Sequence, residues 1–100
     1  MLKETAYCLG YQQITSLSSS TGLTLPSTEQ HGVSMAPAKL VLLQAETQNV
    51  RWRDDGTAPT ASVGMILYAG ADPYPYDGDL NKIRFIEVAA SAKLNCSYFS

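Results

Sequence analysis

The residues best suited to chemistry crowd into one stretch, Val50-Arg51-Trp52-Arg53-Asp54-Asp55-Gly56-Thr57-Ala58-Pro59-Thr60. It holds two guanidinium groups, two adjacent carboxylates and the only tryptophan of the chain. Arginine forks grip carboxylates at two points, paired carboxylates hold calcium or divide the work at a glycosidic bond, and an indole face stacks on a sugar ring. The same residues have plainer uses. Asp-Gly supplies the positive φ of a tight turn, and aspartates in turns bond their own backbone. That is the favoured reading of Asp54, Asp55, Asp72, Asp77 and Asp79. A tryptophan that alternates with arginines is a core anchor with a charged face behind it.

The other chemical candidates are sparse. His31 is the only histidine, and no Gly-x-Ser-x-Gly elbow accompanies it; a solvated loop histidine is the favoured reading. Cys8 and Cys96 have no metal spacing. They can bridge only if the terminal strands are neighbours, and two separate, half-buried thiols are the simpler expectation. There is no phosphate-cradling glycine loop and no nucleophile–base motif, so no catalytic, cofactor-binding or metal-binding residue is assigned. Trp52, Tyr74 and Tyr76 would suit a sugar platform if exposed together. Tyr74 and Tyr76 share one face of a proline-flanked strand and are expected in solvent, at an interface first and a sugar second. Arg51, Arg53 and Arg84 share an outer face if their strands pair, with Asp54, Asp55 or Glu87 as partners inside the fold, the favoured reading, or acids on another subunit.

Short strands must position these groups. Residues 5–15 alternate with Tyr7, Leu9 and Tyr11 on one face, and Gly10 marks a bulge or close crossing. Leu23-Thr24-Leu25-Pro26 reads as a short strand, and 27–37 as a loop that at most begins with one helical turn at Ser27. The apolar run 38–46 reads as a strand buried on both faces, preferred over a helix, and joined to 50–53 as a hairpin. Strands follow at 62–68, at 74–76 as a proline-marked edge, at 83–88, and at 93–99 with Leu94, Cys96 and Tyr98 inward. Turn signals every 8 to 12 residues predict an all-β fold. The expected form is an antiparallel β-sandwich or jelly-roll-like barrel of seven or eight short strands.

One hundred residues make one domain, 1–100, with a modest core. Charged residues are only 16%, and Ser, Thr, Gln, Asn and Ala fill the deficit. Such a surface suits a chain that covers part of itself with copies or a partner. The net charge of −2, with its seven basic residues dispersed, gives no footprint for nucleic acid. The first residues do not read as a signal peptide, and no run approaches the roughly 20 apolar residues of a membrane span.

The segment 51–65, Arg-Trp-Arg-Asp-Asp-Gly-Thr-Ala-Pro-Thr-Ala-Ser-Val-Gly-Met, resembles a stretch of small structural proteins of tailed phages and prophages. So do Ile83-Arg84-Phe85-Ile86-Glu87 and the closing Leu94-Asn95-Cys96-Ser97-Tyr98-Phe99. Here Trp52 stands where tyrosine is usual, and Cys96 where valine is usual. The likeness covers about residues 50–99 and implies a virion component without catalysis or cofactor. A capsid decoration (cement) protein that binds the major capsid protein is the leading expectation, and a head–tail junction or small tail protein the alternative. It would assemble in the host bacterial cytoplasm as a symmetric homo-oligomer, trimer or dimer. Expected contact residues are Arg51, Arg53, Tyr74, Tyr76, Glu29, His31 and Met35, with the segments 1–4 and 27–37. Two other readings differ in class. A carbohydrate-binding module needs Trp52 or the tyrosines exposed, and a small β-barrel enzyme needs His31 beside a carboxylate in a pocket.

Overall fold

Period-two alternation of apolar and polar residues builds strands throughout. The computed structural model describes residues 7–30, 32–34 and 36–100, and no described residue is helical. The strands are β1 (Cys8–Ile14), β2 (Thr21–Gly22), β3 (Glu29–Gln30), β4 (Val33–Ser34), β5 (Leu40–Glu46), β6 (Val50–Arg53), β7 (Met65–Leu67), β8 (Tyr74–Tyr76), β9 (Arg84–Glu87) and β10 (Lys93–Phe99). One four-stranded sheet has the order β1-β10-β5-β8, a second the order β2-β9-β6-β7, and β3 and β4 form a separate two-stranded ribbon. Every pairing is antiparallel. The two large sheets pack face to face as the expected β-sandwich, and the barrel alternative does not form.

The core lies between them. From the first sheet Val41, Leu43, Leu94, Cys96 and Tyr98 point inward; from the second, Val50, Trp52, Leu67 and Phe85 meet them. Leu17, Leu80 and Ile83 close the ends from the connecting segments. Trp52 and Tyr76 touch across the sandwich with ring centroids 5.5 Å apart, edge to face, the arrangement that aromatic quadrupoles favour.

Five local expectations are corrected. The run 38–46 is not buried on both faces: in β5 Val41, Leu43 and Ala45 are buried while Leu40, Leu42 and Gln44 are half-buried on the outer face. Apolar content alone cannot distinguish a doubly covered strand from a singly covered one. Nor do β5 and β6 form a hairpin. Each already has two partners, β10 and β8 for the former and β9 and β7 for the latter. The turn between them crosses from sheet to sheet through Thr47 at φ +76°. Leu23 and Leu25 pack against the core without joining a ladder. In β1 the register shifts between Cys8 and Gly10, so the extra residue turns Leu9 inward and leaves Tyr7 and Tyr11 in solvent. A bulge near Gly10 was legible; its effect on the neighbouring tyrosines was not. In the segment 27–37, the Ser27 hydroxyl accepts the Glu29 amide at 3.0 Å. No helical turn follows, and the described part closes as the β3–β4 ribbon.

The two thiols are free, Cys8 exposed and Cys96 fully buried. Their strands do pair, but Cys8 faces Phe99 and Cys96 faces Gln12. Burial pushes the Cys96 thiol up to about 12. A thiol-specific disulfide reagent is expected to label Cys8 in the native protein and Cys96 only after denaturation. Phe85→Ala, which empties a wholly buried site, is expected to cost about 3–5 kcal/mol in urea unfolding.

Candidate interaction surface

The stretch 50–60 and the loop 58–64 that continues it together form an exposed surface. Val50 and Trp52 are buried in β6, so Arg51 and Arg53 take the outer face. β6 pairs with β9, placing Arg53 directly opposite Arg84 and Arg51 opposite Ile86. The three arginines therefore share one face, as the alternation implied. Like charges directly opposite each other across strands are unfavourable, so each needs an acceptor.

Those acceptors differ. Arg53 makes a two-point pair with Asp55, Nε to Oδ1 at 3.0 Å and Nη2 to Oδ2 at 2.5 Å. Arg84 donates through Nη2 to the Ser20 carbonyl at 2.8 Å and its hydroxyl at 3.2 Å. Among the described residues Arg51 reaches main-chain oxygens, Ala61 O at 3.1 Å and Gly64 O at 2.8 Å. Of the three acids expected as partners, only Asp55 serves an arginine. Asp54 accepts the Tyr76 hydroxyl at 2.6 Å, and Glu87 accepts the Ala92 amide at 3.4 Å.

Arg51 thus fastens the loop 58–64 onto β6. Thr60 completes the job: its amide and carbonyl exchange hydrogen bonds with Val63 at 2.9 and 3.2 Å, and its hydroxyl accepts the Ser62 and Val63 amides. Gly64 sits at φ +145°, and a Cβ there would lie 3.1 Å from the Trp52 carbonyl and 3.2 Å from Pro59. Only glycine fits that conformation in that space. The loop is held, yet it presents Val63, 53% exposed, and the adjoining β7 presents Met65, 61% exposed.

A groove of about 290 Å³ runs beside them, lined by Arg53, Asp54, Asp55, Val63, Gly64 and Met65. Met65 is the register partner of Trp52. Tyr74, 42% exposed, leans on the Trp52 ring at a centroid distance of 6.1 Å. The surface thus has an apolar centre, a charged rim and a supported backbone. That composition suits macromolecular contact, and its rigidity lowers the ordering cost of binding.

The remaining expected contact residues fall elsewhere. Tyr76 is buried, a correction to its expected exposure: it is the inward residue of β8, its ring covers Gly78, and its hydroxyl is spent on Asp54. Burial first and the Asp54 carboxylate second push its phenol well above the ordinary tyrosine range. With Trp52 and Tyr76 both inside, the sugar platform of three exposed rings does not exist; Tyr74 alone of them is exposed. Glu29 is exposed on the small ribbon and accepts the Ser34 hydroxyl at 3.3 Å. His31, Met35 and the segment 1–4 lie outside the described residues. Val63 and Met65 were missed, although an apolar residue between a serine and a glycine in a turn (Ser62-Val63-Gly64) is itself a signal of display. Among the described residues no group of three or more His, Cys, Asp or Glu side chains is arranged to hold a metal ion. No helix of the described residues is long and apolar enough to cross a membrane.

No protein-family model, curated protein or solved structure matches this chain.

The Arg53 hydrogen bonds, followed by the Thr57 amide, lower the Asp55 carboxyl to about 2. A depressed folded value means that the pairing stabilises the fold above the unfolded carboxyl range and is lost as pH falls through about 2. A carboxyl NMR titration is expected to place the Asp55 midpoint there, and Arg53→Gln is expected to return it toward ordinary aspartate.

Proposed function

We propose that this chain is a non-catalytic structural protein of a tailed-phage virion, one that decorates the capsid by docking on the major capsid protein. The likeness of residues 51–65, 83–87 and 94–99 to small phage structural proteins motivates the reading. The observation that carries it is the supported apolar patch of Val63 and Met65, rimmed by the Arg53–Asp55 pair. Rigid display of exposed apolar residues is what a clamping protein requires: area to bury against a neighbour without ordering a loop first. Single contacts of this size bind weakly, and repetition over a symmetric particle multiplies them through effective concentration. A homo-oligomer, trimer or dimer, belongs to the same reading.

Mass spectrometry of purified particles tests the assignment. Hundreds of copies relative to the major capsid protein would support decoration, and about a dozen would move the protein to the head–tail junction or tail, where symmetry axes are few. Absence from particles would defeat the reading. For the surface itself, Val63→Asp and Met65→Asp are expected to weaken binding to undecorated capsids by about tenfold or more, the loss of an interface anchor. Their unfolding midpoints are expected to match the wild type, because both side chains already stand in solvent.

A further inference from the structure

Among the described residues the two large sheets have four unpaired edges: β1 and β8 in the first, β2 and β7 in the second. Three are poor templates for another strand. β2 has two residues, β7 has three, and β8 has three with Pro75 at its centre. β1 is different. It is seven residues long and reads Cys-Leu-Gly-Tyr-Gln-Gln-Ile, with no proline and no charge. Its one protective device is the bulge at Leu9, which leaves Gly10 to Ile14 in regular register.

The direction of its main-chain groups follows from the neighbouring ladder. The Lys39 amide donates to the Phe99 carbonyl, and the Ser100 amide donates to the Tyr7 carbonyl, each at 2.9 Å. Phe99 therefore turns its main chain toward β5, while Tyr98, Cys96 and Leu94 turn theirs toward β1. Their register partners Gly10, Gln12 and Ile14 hold the ladder. Tyr11 and Gln13 must then direct their N–H and C=O groups away from the sheet, where no main-chain group of the described residues meets them. The nearby segment 23–26 does not pair with this edge. It lies under the inner face, with Pro26 against Gly10 and the Thr24 amide on the Gln12 side chain.

We propose that two copies of this chain join edge to edge through β1, antiparallel about a two-fold axis at Gln12. Tyr11 of each copy then faces the partner's Gln13, and four main-chain hydrogen bonds fuse the two four-stranded sheets into one of eight. An antiparallel strand is its own complement about such an axis, so a single sequence supplies both halves. The absence of charge on β1 keeps the chain's net charge of −2 away from the seam. The exposed Tyr11 ring comes beside the partner's Gln13 side chain on the outer face, as cross-strand neighbours do. The inference is independent of the virion reading and stands or falls in purified solution.

Sedimentation velocity across a concentration series, with amide hydrogen exchange, tests it. The wild type is expected to form dimers, and the Tyr11 and Gln13 amides to exchange more slowly as the dimer fills. Gln13→Pro deletes an outward N–H and no ladder bond, and Gln13→Lys sets a charge at the seam. Both are expected to weaken association by about tenfold or more while circular dichroism stays unchanged. If the proline variant fails to fold, the lysine variant and the exchange rates decide. A wild type that stays monomeric throughout overturns the proposal, as does an oligomer indifferent to both variants or a dimer whose Tyr11 and Gln13 amides exchange freely.

Discussion

The contact between Trp52 and Tyr76 joins the two layers at the point on which the outer surface depends. Trp52 belongs to a central strand of one sheet and Tyr76 to an edge strand of the other. Their ring contact closes that side of the sandwich, and the Tyr76 hydroxyl then fixes Asp54, the first residue after β6. With Asp54 spent inward, Asp55 falls to Arg53. The chain reverses at Gly56, φ +91°, and returns under Arg51. A buried aromatic pair thus sets which of two adjacent carboxylates serves the core and which serves the surface.

The outer face is arranged by a different economy. Arg53 and Arg84 stand opposite each other, and Arg51 is close by. Three guanidiniums on a short face are tolerable only because each has its own acceptor. One of those acceptors is a carboxylate; the others are main-chain oxygens or a hydroxyl. Arg51 bonds two carbonyls of the loop 58–64, adding a side-chain anchor to the Thr60–Val63 bonds and the β6–β7 ladder. Its charge is used mechanically, to hold Val63 and Met65 where a neighbour can reach them.

Much of this was readable before any coordinates. Alternation in 50–53 and 93–99 placed Trp52, Leu94, Cys96 and Tyr98 inside, because side-chain period two needs only local geometry. Asp55-Gly56 read as a turn for the same reason. What failed depended on particular partners distant in sequence. Whether β5 has a covered outer face, and whether it pairs with β6, depends on β10 and β8, tens of residues away. Tyr74 and Tyr76 have the same residue type on the same face of one strand, yet Tyr76 alone meets Trp52 and Asp54 deeply enough to be buried. The arginine pattern was legible as a shared face, whereas the assignment of Arg51 to carbonyls required the path of the loop 58–64.

The place of β10 has a kinetic consequence. It is a central strand of the first sheet, flanked by β1 and β5, and in register it joins Cys8 to Phe99. A ribosome releases it after the other strands of this sandwich. Until then β1 has no ladder to join, and the first sheet lacks the inward Leu94, Cys96 and Tyr98 that meet the second. The sandwich must therefore close late and over long loops, which is slow for a chain of this length. During that interval the apolar run of β5 lacks its β10 neighbour, the kind of exposed strand that favours association between unfinished chains.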